Sequence, residues 1–77
     1  MTDKQVLEKL KIYITCARDE ALGNIDLCKH VYEETKNSIY RNMINSYQRE
    51  VYELNQYLEY IDERLREEAP REQKPNN

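Results

Sequence analysis

Tyr47, Val51, Leu54, Leu58, Ile61 and Leu65 recur at alternating steps of four and three. On a helix this spacing gathers them into one apolar seam turned toward a neighbour. Upstream, Val6, Leu7, Leu10, Tyr13, Ile14, Ala17 and Ala21 follow the 3.6-residue period and predict a second amphipathic helix. Its start is marked by a capping box, Thr2 followed three residues later by Gln5, with Met1 and Val6 placed to form a hydrophobic staple. Gly23 follows the last periodic residue and predicts a left-handed cap, after which Asn24 caps the next helix with Asp26 in its first turn. These signals divide the chain into a helix over 3–22, a turn at 23–24 and a helix over 25–68.

The second of these helices carries two apolar faces that are out of phase. Leu27, Cys28, Val31, Tyr32 and Thr35 share one face, whereas Ile39, Tyr40, Met43, Ile44 and Tyr47 share another that runs into the seam. The slip falls at Lys36, Asn37 and Ser38. No Glu or Gln follows Asn37 or Ser38 at capping-box distance, so the reading favours one long helix over a break near Asn37-Ser38 that would give a three-helix bundle. Beyond Ala69, the stretch PREQKPNN holds two prolines and no apolar run, which predicts a disordered tail over 70–77 after a single helical domain over 1–69.

The expected fold is therefore all-α, an antiparallel helical hairpin with a long second helix. Composition agrees: among 77 residues 35% are charged, Gly occurs once, Pro twice, and Phe and Trp are absent. A chain of this length builds a core that stabilises it by only a few kcal/mol, on the order of 3–5. A first helix ending at 22 reaches only about 30 Å along its partner, so the seam in the distal half of the second helix would lie uncovered. A second copy is the simplest cover, because identical seams complement each other about a two-fold axis. On this reading Tyr47, Val51, Leu54, Leu58, Ile61 and Leu65 are oligomerisation residues and the protein is a homodimer.

Net charge is −3, with twelve Lys and Arg scattered among fifteen acids, so no basic footprint for nucleic acid stands out. No apolar run approaches the roughly 18 residues of a membrane span, and the N-terminal stretch lacks the apolar core of a signal peptide, so a cytoplasmic protein is expected. Cys16 and Cys28 read as reduced, small hydrophobic residues. His30 is the only His, and Cys28 two positions before it faces another side of the helix, so no metal site, cofactor or catalytic constellation is expected.

Two features stand off the core stripes. Ile12 and Cys16 lie roughly 100° around the first helix from its main stripe, and Tyr52, Gln56 and Tyr60 form a row at spacing four on the far side of the seam. Tyrosine combines a large contact area with a polar tip, which suits a surface that is wet in one state and covered in another. These five residues are the candidate partner-binding positions.

The segment VYELNQYLEYI, Val51 to Ile61, resembles the signature of the small sporulation aspartyl-phosphate phosphatases, which are helical hairpins. Val51, Tyr52 and Asn55 stand where that signature has Ser, Gln and Asp, so the resemblance carries no activity to this chain. The expected function is that of a small non-catalytic helical interaction module, a regulator, adaptor or inhibitor of a larger protein. A structural homo-oligomer is the alternative, and nucleic-acid binding ranks behind both.

Overall fold

The computed structural model describes residues 1–73, with side chains through residue 67. It contains two α-helices packed against each other, α1 over Asp3–Thr35 and α2 over Ser38–Gln73. Among the described residues there is no strand. The capping box forms as read: the Gln5 amide donates to Thr2 Oγ1 at 3.2 Å and the Thr2 amide donates to Gln5 Oε1 at 2.9 Å. Two otherwise orphaned donors at the start of α1 are thereby satisfied.

The reversal of the chain lies at Lys36 and Asn37, not at Gly23. Lys36 adopts the left-handed conformation with φ 56° and ψ 22°, and its amide donates to the Tyr32 carbonyl at 2.7 Å. Asn37 caps α2 by accepting the Ile39 amide on Oδ1 at 3.0 Å, while its own amide donates to Thr35 Oγ1 at 3.2 Å. Tyr32 adds a further tie. The Lys36 ammonium and the Arg41 guanidinium lie 5.7 and 5.4 Å from its ring centre, and Arg41 Nη2 donates to its hydroxyl at 3.0 Å. These contacts offset the cost of a left-handed non-glycine residue, on the order of 1–3 kcal/mol.

Gly23 sits inside α1 with negative φ. The expected turn at 23–24 and the helix bounds at 22 and 25 are therefore corrected. A glycine within a helix costs only about 1 kcal/mol, and continuing the helix carries Ile25 and Cys28 into the core. The phase slip at Lys36 to Ser38 was the true boundary, so continuity there is corrected as well, and two helices result instead of three. At its far end, α2 runs through Pro70 to Gln73, past the expected end at 68. The fixed φ of proline is near the helical value, but Pro70 removes one backbone donor from this last turn. The rest of the expected tail, residues 74–77, lies outside the described residues.

Moving the turn from 23 to 36 makes the helices nearly equal, 33 and 36 residues, so each is about 50 Å long at roughly 1.5 Å per residue. Helix α1 can then cover the entire seam. Leu58 and Ile61 are buried, and Tyr47, Val51, Leu54 and Leu65 are half-buried, all within a single chain. Opposite them stand buried Ala21, Ile25 and Cys28, with Leu7, Ile14, Ala17 and Val31 half-buried. The premise that this seam needs a second chain is thus corrected: it forms the core of the hairpin.

Register is read directly from the contacts across the pair. Tyr32 with Arg41, Arg18 with Asn55, and Lys11 with Asp62 lie four, 18 and 25 residues before Lys36 and after Asn37. No residue is skipped on either helix between the turn and the far end. On α1 the matching seam is Leu7, Leu10, Ile14, Ala17, Ala21, Asn24, Cys28 and Val31, again at steps of three and four, with Leu10 exposed and buried Ile25 beside the row.

Two substitutions test this arrangement. Gly23→Ala should raise stability by about 0.5–1 kcal/mol in urea or thermal unfolding, because a Cβ there meets nothing within 4 Å and alanine favours the helix. A glycine in a left-handed turn would give the opposite sign. Leu58→Lys should unfold the chain at room temperature, since a charge forced into this core costs several kcal/mol, comparable to its whole stability. Unchanged far-UV circular dichroism and melting temperature for Leu58→Lys would show that Leu58 is not core.

Candidate protein-contact surfaces

Heptad geometry gives the hairpin two flanks beside its seam. One flank is closed by polar contacts, every one between residues in equivalent positions of the repeat. Lys11 Nζ lies 2.8 Å from Asp62 Oδ1, Arg18 Nη1 donates to Asn55 Oδ1 at 3.3 Å, and Tyr32 joins Arg41. Asp62, four residues before Arg66 on its own helix, reaches across to α1. The Lys11 and Asp62 side chains are each more than a third exposed, so this pair fixes register more than it stabilises, contributing about 0–1 kcal/mol.

The other flank is open. It carries Val6, Tyr13, Glu20 and Leu27 from α1 and Met43, Glu50, Tyr57 and Arg64 from α2, each row repeating every seven residues. Tyr13 is 79% exposed, Leu27 61% and Tyr57 56%. Near the turn, Ile39, Met43 and Tyr47 line a shallow groove of about 370 Å³. The sequence reading placed Val6 and Tyr13 in the core stripe, because they follow the 3.6-residue period. The seam instead follows the tighter 3.5-residue repeat, which leaves them on its edge.

Of the candidate partner-binding residues, Ile12 and Cys16 are exposed on the back of α1, four residues apart and so on one face. Tyr52, Gln56 and Tyr60 are exposed on the back of α2. The fold does not join the two groups; they lie on the outer faces of the two helices, away from each other. Each tyrosine of the row has its own partner, with Gln56 Nε2 donating to Tyr52 Oη at 2.9 Å and Arg64 Nη1 donating to Tyr60 Oη at 3.2 Å. The Arg64 guanidinium also stands 6.0 Å from the Tyr60 ring centre. Such contacts restrict the rotamers open to these side chains.

Cys16 and Cys28 are both free thiols, the first exposed and the second in the core. Among the described residues no three His, Cys, Asp or Glu side chains converge as a metal-binding group, and no helix is long and apolar enough to cross a membrane. What the geometry offers is exposed apolar and aromatic side chains on a two-helix frame. Comparison with known protein families, characterised proteins and solved structures finds no match for the chain.

Proposed function

We propose that the chain is a small non-catalytic interaction module, a regulator, adaptor or inhibitor that binds a larger protein through exposed helix faces. The observation that supports this reading is the row Tyr52, Gln56 and Tyr60, exposed on a continuous helix, with Tyr52 held by Gln56 and Tyr60 held by Arg64. Interface anchors are few, often aromatic, and bind best when little freedom remains to be lost. Ile12, 66% exposed beside Cys16, supplies a second apolar contact on α1. Two unpaired thiols suit a reducing compartment, so the proposed place of action is the cytoplasm.

Self-assembly as the function itself is the second reading. It is favoured by the thinness of the molecule, whose principal extents are 63 × 24 × 14 Å. A scattered charge pattern gives nucleic-acid binding no comparable support.

The test separates contact from folding. A variant carrying Tyr52→Ala, Tyr60→Ala and Ile12→Glu should keep its helicity and melt within about 0.5 kcal/mol per site of the parent, because these side chains lie outside the core. Its affinity for a partner isolated with the parent protein should fall by about 2 kcal/mol or more, measured by calorimetry with both purified components. Native affinity in the triple variant would refute both faces.

A further inference from the structure

We infer that the open flank of the hairpin receives a second copy of the chain, packed antiparallel about a two-fold axis beside Ala17 and Tyr57, to complete a four-helix bundle. This rests on the reading that exposed helix faces are the working surfaces, and narrows it to one face and one occupant.

Area supplies the first argument. The chain exposes 6176 Å² at a mass of 9.4 kDa. A compact monomer of that mass exposes about 5,000 Å². The difference exceeds the roughly 800 Å² per partner that a standard interface removes from water. A slab 14 Å thick is a single layer of helices, whereas stable domains bury apolar faces between two layers. Stacking two slabs supplies the second layer and gives every helix an antiparallel neighbour.

Charge selects the arrangement. Two two-fold axes can place the open flank on itself. An axis parallel to the helices sets α1 over the α2 of the second copy at equal height, which leaves Glu20 between Glu50 and Tyr57 and faces neither Glu50 nor Arg64 with an opposite charge on the open flank. An axis across the helices at the height of Ala17 and Tyr57 sets α1 over α1 and α2 over α2 with their directions reversed. Leu27 then meets Val6 of the second copy, Glu20 meets the Tyr13 hydroxyl, and Glu50 meets Arg64 within about one residue, roughly 1.5 Å, of exact registry.

Every one of these pairs joins apolar to apolar or an acid to a donor. Glu20 and Glu50 form no ion pair within the chain among the described residues. Arg64 contacts Tyr60 and lies 3.8 Å from Glu67 on its own helix, and its five-donor guanidinium can add Glu50 of the second copy to these. The backs of both helices, with Ile12, Tyr52 and Gln56, stay outside the bundle.

Sedimentation equilibrium from micromolar to millimolar protein tests the arrangement through a charge exchange. The wild type should dimerise. Glu50→Arg alone and Arg64→Glu alone each place like charges in both symmetry-related contacts and should weaken dimerisation on the order of tenfold or more, with helicity retained. An equimolar mixture of the two variants should recover dimers, because each contact then pairs opposite charges. A wild type that stays monomeric overturns the inference, as do single variants that dimerise like the parent or a mixture that stays monomeric. Should Arg64→Glu lose helicity, Leu27→Glu decides: at 61% exposure it leaves the monomer folded, and native dimerisation in that variant overturns the inference. Partner affinity of the Tyr52 and Tyr60 variant is read separately, so a monomeric protein that still binds its partner through that row leaves the proposed function standing.

Discussion

Everything in this molecule follows from where the chain reverses. A turn at Lys36 and Asn37 makes the helices nearly equal, and equal helices can match their seams from the turn to the far end. A turn at Gly23 would leave α1 too short to reach Leu58 and Ile61. The deciding interactions are local and polar. Thr35, Lys36 and Asn37 satisfy the helix ends, and Tyr32 clamps the two cations that flank the turn. Against them, Gly23 offers permission to turn but no group that holds a turn in place.

The all-α class, the capping box at Thr2 and the seam from Tyr47 to Leu65 were all legible in the sequence, because each rests on local chemistry or on a long unbroken period. The location of the turn was not. Gly23 followed by Asn24 imitates a cap, and Asn24 also occupies a seam position on α1, which hid the continuity of that seam from Leu7 to Val31. The phase slip at Lys36 to Ser38 was the better signal, since a rigid helix cannot shift its apolar face while a turn can. Of the candidate contact residues, exposure of Ile12, Cys16, Tyr52, Gln56 and Tyr60 could be read from their angular positions. Their placement on opposite backs depends on which faces pair in three dimensions, and the edge row of Val6, Tyr13 and Leu27 depends on the 3.5-residue repeat.

The hairpin buries few side chains for its length, only Ala21, Ile25, Cys28, Leu58 and Ile61 falling inside among the described residues. Two helices share one line of contact, so at most one face of each can be covered, and small residues at Ala17 and Ala21 bring the backbones together without adding much apolar area. Stability is spread along a narrow strip instead of concentrated in a centre. Such a frame is sparing in core and leaves most of its surface exposed.

The seven tyrosines show how one side chain serves that economy. Tyr32 uses its ring to hold Lys36 and Arg41 at the turn and its hydroxyl to accept from Arg41. Tyr40 and Tyr47 lie half-buried on the seam, where a ring can pack along α1 while the hydroxyl stays near water. Tyr13, Tyr52, Tyr57 and Tyr60 stand exposed, two on the open flank and two on the back of α2. Phenylalanine at those four positions would add the same contact area but leave it unsolvated in the free chain, favouring indiscriminate association. Tyrosine keeps the free surface wetted by its hydroxyls and still offers a broad ring when covered. Restricting the aromatics to one type therefore suits a two-helix protein that must leave several rings at its surface.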